Sequence, residues 1–517
     1  MVMKGKNLEK AVILGLLLST GVYGTAWADN ALIDENGKLI VESSGTVEPN
    51  SKFNIGGEEY ELSDFDTIEI HMTADNLKDD NPDRALGVYS ARYDLSGKDV
   101  TVYVDGGGYG NNDGLHFTNH GPYFYVRNYT AIIDALGSDA INLSRDNTMD
   151  ATVIVEEDLN VHIKQNGNGI RANASIYGKI DNPNVASITV TGDTYIRLDG
   201  DASNLAGAAS GESINPTAVW AGSDANSLTA GQKAQGKGEV YLKGNTVILL
   251  NGNGKDNGFL EQLLGGGKVY EILTGKNGYV QVNNLDLTAN GNYSYGIAAT
   301  EKNVTYNSDN TVNNFGSVIE LNGEINNITM NGNNSYAIYA QGKDINNNSN
   351  TVKSGENGIG GLNVKGNILA EDNGAIDITI NNDKITDNDN NVYENYVTVE
   401  GDILAKTAGT INMAVKNTAG ITGNIEAVGA DSEINIGGIS AVDGQSVMRA
   451  NNNDSGVTHI NITGNIQAAN GATIDLSLGD GAYFKGRVDD YKDADNKNTW
   501  NNIDHGSLFD EDFVNDK

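Results

Sequence analysis

The chain has 517 residues, a formal net charge of −35, no Cys, 64 Gly and only 5 Pro. So acidic a surface repels nucleic acid and anionic lipid, which excludes a nucleic-acid-binding protein. The absence of Cys is compatible with export, and hydrophobic residues at 38% suffice for a core but are few for an enzyme of this size.

Residues 1–28 have the features of a secretory signal peptide. A basic start with several lysines is followed by a short apolar run and by the small-x-small motif Ala26-Trp27-Ala28. The apolar run is too short to span a bilayer comfortably, which argues against a membrane anchor. We therefore predict cleavage between Ala28 and Asp29, and export of the mature chain to the cell surface, the outer membrane or the extracellular medium.

Residues 29–83 carry strand-like runs but no clear repeat, and they contain the aromatic residues Phe53, Tyr60 and Phe65. The repeats that follow indicate a solenoid. The first turn of a solenoid exposes an unpaired strand edge, which invites aggregation. We predict that residues 29–83 cap this edge.

From residue 84 onward a four-residue step recurs, made of a small residue, an aliphatic residue, a variable residue and usually a second small residue. The copies begin at Gly87, Gly114, Ala140, Gly169, Ala218, Gly296, Ala337 and Gly438. This pattern predicts a short strand whose second residue is buried and whose third residue faces water. Phe117 and Leu143 occupy the fourth place in their copies, which indicates that this place also points inward.

The spacing of the copies predicts the architecture. From Val88 the aliphatic residues lie 27, 26 and 29 residues apart, and the next intervals of 49 and 78 residues are close to two and three times that period. A period of this size without a helical pattern indicates stacked β units. We predict an all-β parallel β-helix of roughly 15 to 18 turns over residues 84–488.

A second repeat, Gly followed by Asn or Asp and then Ile, occurs at Gly366, Gly401, Gly423 and Gly464. Gly before Asn or Asp suits a corner where φ becomes positive. The Asn-rich stretch before Gly366 predicts either ladders of stacked Asn side chains or ordinary polar turns. Residues 489–517 are acidic and lack the pattern, so we predict a poorly ordered tail.

The signal peptide, the acidic Gly- and Asn-rich solenoid and the lack of Cys together resemble the passenger region of Gram-negative autotransporters, the type V secretion family. The stretch from Leu476 to Gly486 is similar to passenger stem sequence. The resemblance implies a right-handed parallel β-helix that a C-terminal β-barrel carries across the outer membrane. Strands for such a barrel do not follow within this chain, so we expect a longer gene product or a separate translocator chain as partner.

The function we predict is that of an adhesin-like binding and structural rod, with no catalytic residues, no cofactor and no metal. Its partner would be a glycan or protein on a host or neighbouring cell. Tyr89, Trp220 and Tyr339 occupy the variable third place and are the candidate ligand contacts, because exposed aromatic rings stack on sugars or apolar patches. The alternative is that aromatic residues merely suit strand surfaces.

Enzymatic and metal-binding alternatives stay open. A polysaccharide lyase or hydrolase needs clustered carboxylates or an Arg on one groove face, and no pair stands out in the sequence. A serine protease needs a placed His and Asp, and Asn453-Asp454-Ser455-Gly456 only faintly resembles a nucleophile turn. The stretch from Gly107 to Asp113 resembles one Ca²⁺-binding nonapeptide, of a type that needs tandem copies.

Overall fold

The structure is a computed structural model, and it describes most of the chain between Ala28 and Phe509. The described residues are 28–74, 84–88, 92–109, 112–117, 123–143, 150–174, 185–202, 216–223, 236–254, 269–275, 277–300, 316–343, 348–381, 385–386, 392–393, 397–416, 418–438, 440–442, 445–447, 459–478, 482–490 and 508–509. The predicted signal peptide up to Trp27, Tyr89 and the Asn453-Asp454-Ser455-Gly456 turn lie outside them.

Almost all regular structure in these residues is β, and the helical part is a single 3₁₀ turn at Leu62–Asp64. The first strands are β1 (Ala28–Ile33), β2 (Leu39–Ser43), β3 (Lys52–Ile55), β4 (Glu58–Glu61), β5 (Thr67–Ala74), β6 (Arg84–Val88), β7 (Arg92–Tyr109), β8 (Asp113–Phe117), β9 (Tyr123–Leu136), β10 (Ser138–Leu143), β11 (Ala151–Val155), β12 (Leu159–Ile163), β13 (Gly167–Ala174), β14 (Val185–Val190), β15 (Thr194–Leu198), β16 (Thr217–Ser223), β17 (Lys237–Leu242), β18 (Thr246–Leu250), β19 (Val269–Thr274), β20 (Gly278–Asn283), β21 (Leu285–Ala289) and β22 (Ser294–Thr300).

The remaining strands continue the same pattern toward the C-terminus. They are β23 (Val318–Asn322), β24 (Asn326–Met330), β25 (Tyr336–Gln341), β26 (Thr351–Ser354), β27 (Leu362–Lys365), β28 (Asn367–Glu371), β29 (Ala375–Ile380), β30 (Ile385–Thr386), β31 (Val392–Tyr393), β32 (Val397–Glu400), β33 (Ile403–Lys406), β34 (Thr410–Val415), β35 (Thr418–Thr422), β36 (Ile425–Val428), β37 (Glu433–Gly438), β38 (Ser440–Val442), β39 (Gln445–Val447), β40 (His459–Thr463), β41 (Ile466–Ala469), β42 (Thr473–Leu476), β43 (Tyr483–Lys485), β44 (Val488–Asp490) and β45 (Leu508–Phe509).

The strands stack into a parallel β-helix, which confirms the predicted fold class. A 26-stranded sheet and a 13-stranded sheet form its walls. One coil runs through β12 in the larger sheet, β13 in the smaller sheet and β14 in the larger sheet, and β15 then lies parallel to β12. Inward and outward residues alternate along the strands, so aliphatic side chains from every coil fill one continuous core.

In the part of the chain that the structure describes, 13 coils each contribute one strand to the smaller sheet, and the coil before them contributes an isolated bridge at Val47. Ile170 pairs directly with Val219, and Val219 pairs with Ile272. The 49-residue step is therefore one coil with long connections, and the 78-residue step is two coils. Because solenoid corners accept insertions without disturbing the stack, interval length alone overestimated the number of turns in this stretch.

The small first place of the repeat is explained by close approach to the next coil. A Cβ on Gly169 would lie 2.3 Å from the carbonyl oxygen of Ala218. The first copy is framed differently from the prediction, because Leu86 rather than Val88 pairs with Leu115. Both residues are aliphatic, so the sequence pattern could not separate the two frames, and Gly87 takes the third place in this coil.

The N-terminal cap is smaller than predicted. β1 lies antiparallel on β2 at the end of the stack, and the β3–β4 hairpin brings Phe53 into the interior core with Leu62 and Phe65. β2 and β5 already belong to the parallel column, since Leu39 pairs with Ile68 and Ile68 with Val100. Within residues 29–74, β1 and the β3–β4 hairpin are therefore the strands that lie outside the parallel column.

Asn and Asp side chains form ladders along the corners, which is the first of the two predicted alternatives. The side-chain Oδ1 of Asn367, Asp402, Asn424 and Asn465 accepts the backbone N–H stacked above it, at 2.7 to 3.1 Å. A second ladder joins Asn251, Asn290 and Asn331 through side-chain amide bonds of 2.8 and 2.9 Å. These bonds satisfy corner groups that the sheets leave unpaired.

The corner glycines adopt the positive φ that the second repeat predicts, with values of +140° at Gly366, +158° at Gly401 and +151° at both Gly423 and Gly464. A Cβ on Gly423 would lie 2.1 Å from the carbonyl oxygen of Gly401. These glycines therefore serve both the conformation and the close stacking of corners.

Gly423→Ala is expected to lower the free energy of unfolding by about 2 kcal/mol or more, because it combines an unfavourable φ with a backbone clash. Gly420→Ala is the control, because Gly420 lies on the outward side of β35, just before the Gly423 corner, with nothing within 4 Å of its Cβ. Thermal melting followed by circular dichroism compares the two variants. Equal melting temperatures would contradict the stacking of Gly423 on Gly401.

Two hairpins leave the stack, β30 with β31 and β38 with β39. The copy predicted at Gly438 is wrong, because Ser440–Val442 pairs antiparallel with Gln445–Val447 instead of joining the smaller sheet. β44 pairs with β41 and β45 with β43, so strand pairing extends into residues 489–517. Among the described residues, no helix has the length and apolar character to cross a bilayer.

Candidate functional site

The outward side of the smaller sheet carries the most unusual surface of the molecule. In the coils that contain β8 to β25, two places of the strand point outward, the residue before the small first place and the variable third place. In β22 these are Tyr295 and Ala298, which form a separate apolar cluster, whereas Ile297 and Ala299 belong to the interior core. Along the stack the outward places change from charged to aromatic residues.

At β8, β10 and β13 these places hold a set of ionisable and amide side chains that we name the polar cluster. Its members are Asp113, His116, Asp139, Asn142 and Arg171. The Asp113 carboxylate accepts hydrogen bonds from the backbone N–H of Asp139 at 2.8 Å and from Asn142 Nδ2 at 3.1 Å, and it also contacts His116 Nδ1. Asp113 and Asp139 are only 1% and 3% exposed.

Asp139 is the member whose protonation is most perturbed. Burial, reinforced by the neighbouring Asp113 carboxylate, raises the pKa of Asp139 to about 7. Arg171 Nη1 lies 3.8 Å from Asp139 Oδ2, and Asn168 Nδ2 donates to Asp139 Oδ1 at 2.7 Å, and both oppose that rise. Asp139 therefore changes its charge near neutral pH.

Asp139→Asn is expected to raise the melting temperature at pH 8 more than at pH 5. The folded pKa lies above the ordinary value of 3.8, so the folded chain holds this proton more tightly. Native stability therefore falls as pH rises from about 4 to about 7, by at most roughly 4 kcal/mol. Melting curves from pH 4 to 9 measure this, with the exposed Asp286→Asn as control. If the melting temperatures of Asp139→Asn and the native chain differed by the same amount at every pH, this expectation would be contradicted.

Trp220 connects the polar cluster to the apolar part of the outward side. The Arg171 guanidinium lies over its ring, 5.0 Å from the centroid. In the next coil Leu273 pairs with Trp220. Trp220, Arg171 and Leu273 are all partly exposed, so this end of the sheet remains in contact with solvent.

Tyrosines from three successive coils form a tyrosine ladder of Tyr270, Tyr295 and Tyr336. Their ring centroids lie 5.2 and 5.5 Å apart. Tyr339 packs 5.0 Å from Tyr295, and its hydroxyl donates to Glu371 Oε1 at 2.6 Å. We name the whole apolar cluster the aromatic patch, which contains Tyr270, Leu273, Tyr295, Ala298, Tyr336, Tyr339, Leu369 and Leu404.

The structure gives a different result for each of the three candidate ligand contacts. Tyr339 is 3% exposed, so the expectation that its third place faces water is wrong. Burial, with Glu371 beside it, raises the pKa of the Tyr339 hydroxyl well above its usual range. Trp220 is partly exposed on the predicted side, and Tyr89 lies outside the described residues. Sequence alternation identified the outward side correctly but not the depth of each side chain within it.

The polar cluster is also what the lyase or hydrolase alternative requires, a pair of carboxylates with an Arg nearby. Its two carboxylates are shielded from solvent, so a polysaccharide has no access to them in this conformation. In the stretch that resembles a Ca²⁺-binding nonapeptide, the Asp113 carboxylate is engaged by protein donors. Within the described ranges no group of three or more His, Asp or Glu side chains is arranged to hold a metal ion.

The polar cluster and the tyrosine ladder could have been found in the sequence by reading the residue before each small first place. Asp113 and Asp139 take this place in adjacent copies, and Tyr295 and Tyr336 take it later. The ladder member Tyr270 was hidden because its coil has Glu271 where the other copies have Gly or Ala. The repeat was consequently not recognised in β19.

Comparisons with protein-family models, with curated proteins and with solved structures find no match to this chain.

Proposed function

We propose that this chain is an exported, adhesin-like binding rod of the autotransporter-passenger kind, delivered by an outer-membrane translocator. The observation that most supports the proposal is the aromatic patch, which a regular stack of coils holds in place on its outer side. Partly exposed apolar clusters on a soluble protein mark sites of interaction. A rod that presents such a patch is suited to contact the surface of another cell.

Two features of the sequence support export. Residues 1–28 have the basic start, apolar run and cleavage motif of a signal peptide, and the chain has no Cys. The net charge of −35 favours a soluble exposed rod and disfavours nucleic acid as a partner. The lyase or hydrolase alternative has less support, because the carboxylate pair of the polar cluster is shielded.

Expression of the full chain in a Gram-negative host tests export and adhesion separately. We expect the exported protein to begin at Asp29 on N-terminal sequencing, and the purified mature chain to bind cultured cells in a saturable manner. Retention of Met1 in a cytoplasmic protein would refute export. A folded mature chain that binds no cell surface would refute the adhesin-like function.

A further inference from the structure

The aromatic patch differs from the other outward surfaces of the same coils. On the larger sheet these coils present mainly polar residues outward, such as Gln281, Asp286, Glu320 and Asn327, with Tyr279 as an aromatic member that packs on Tyr241. On the smaller sheet they present tyrosine and leucine instead. A stack of coils does not require this substitution, because Asn, Thr and Gln pair well on the remaining surface.

The exposure of the patch is graded in a way that suits a binding surface. Tyr295, Tyr339 and Leu369 are buried, whereas Tyr270 and Tyr336 are partly exposed on either side of Tyr295. The buried rings lie 5.2 to 5.9 Å from the partly exposed ones and hold them in fixed orientations. A ligand that settles on Tyr270 and Tyr336 would therefore order few additional side chains.

The chemistry of the patch selects its ligand. None of the aromatic patch residues is charged, and the net charge of −35 repels an acidic polymer. Flat aromatic faces match the apolar faces of sugar rings. Polar groups stand at the rim, where Arg171 lies over Trp220 and Glu371 accepts the Tyr339 hydroxyl. Such a rim can exchange hydrogen bonds with sugar hydroxyls.

We propose that the aromatic patch is a binding site for an uncharged saccharide, whose rings lie on Tyr270 and Tyr336, with Trp220 at the adjoining rim. This inference rests on the proposed function, since it names the ligand class of the adhesin-like rod. The proposed ligand contacts are therefore the partly exposed neighbours of Tyr339 and not the buried Tyr339 itself. Tyr295 and Tyr339 act as positioning residues for those rings.

The test is binding of the purified mature chain to an array of neutral and acidic oligosaccharides. We expect binding to neutral members, and a loss of roughly tenfold or more in affinity in the Tyr270→Ala, Tyr336→Ala double variant. Tyr195→Ala is the matched control, because this tyrosine is 39% exposed on the larger sheet, away from the patch. The control should bind within about twofold of the native chain.

A second variant keeps the test decisive if the double variant does not fold. Tyr270→Ala alone removes one proposed ring contact and leaves the packing among Tyr295, Tyr336 and Tyr339 in place. It should weaken binding of neutral oligosaccharides by several-fold while the circular dichroism spectrum stays native.

Each other outcome decides against the proposal. Absence of any neutral ligand, preference for acidic members, or unchanged binding by a folded double variant would overturn it. Cell adhesion that persists in the folded double variant would overturn the site and leave the adhesin-like function standing. Absence of adhesion by the native chain would refute the proposed function itself.

Discussion

Ile462→Asp is expected to unfold the C-terminal coils under conditions in which the native chain is folded. Ile462 lies in β40, is buried in the core and pairs with Ile421 below and Phe484 above. The substitution removes apolar contacts and buries a carboxylate without a partner, at a cost of about 4 kcal/mol or more. Because each coil contacts only its neighbours, the damage should stay near the C-terminal end of the stack.

Limited proteolysis with mass spectrometry locates the unfolded coils, and thermal melting gives the size of the effect. Leu476→Asp, in the adjoining β42, should behave in the same way, since Leu476 is buried and pairs with Ile436. Gln467→Lys is the matched control on the outward side of β41, where Glu426 and Asp489 flank it. The control should be neutral, and an equal loss of stability in all three variants would show that the register is wrong.

Glu271→Ala is expected to stabilise the chain at pH 7, by roughly 1 to 3 kcal/mol. Glu271 is 0% exposed, and neither of its carboxylate oxygens has a hydrogen-bond partner among the described residues. It stands between Ala218 and Gly296 in the column of small residues. Alanine therefore fits the site and removes a buried polar group that is not satisfied.

The effect of Glu271 should depend on pH. Burial raises the pKa of the Glu271 carboxyl well above its ordinary value of 4.5, so the folded chain binds this proton more tightly than the unfolded chain. Native stability therefore decreases as pH rises above about 4.5, and the Ala variant should lose this dependence. Glu271→Gln should also lose it but gain less stability, because the amide remains unsatisfied. A less stable Ala variant would indicate that the carboxyl group has a partner.

The fold was predictable because the repeat combines strand periodicity with small residues at a fixed place. Gly114, Ala140 and Gly169 signal the close approach of adjacent coils, and their spacing is nearly regular. The predicted register was wrong in the first copy, where Leu86 and Val88 are both aliphatic and either could take the buried second place. The repeat was not recognised in β19, where Glu271 replaces the small residue.

The candidate site was only partly predictable for a different reason. Period-two alternation assigns a side chain to the inside or the outside of a sheet, and it placed Trp220 and Tyr339 on the outside as observed. Depth within the outer layer depends on neighbours from adjacent coils, which lie tens of residues away in sequence. Tyr339 is buried because Tyr295 and Tyr336 pack on it from the coil below and from its own strand.

The coils differ in the number of residues they contain, but the length of the solenoid does not depend on that number. Ile403 and Ile425 are stacked partners 22 residues apart in the chain, and Thr194 and Thr246 are stacked partners 52 residues apart. Either coil adds the same rise of about 4.8 Å, so the 13 strands of the smaller sheet extend over roughly 58 Å. Evolution can therefore lengthen or exchange what individual corners display while the distance spanned by the protein stays constant.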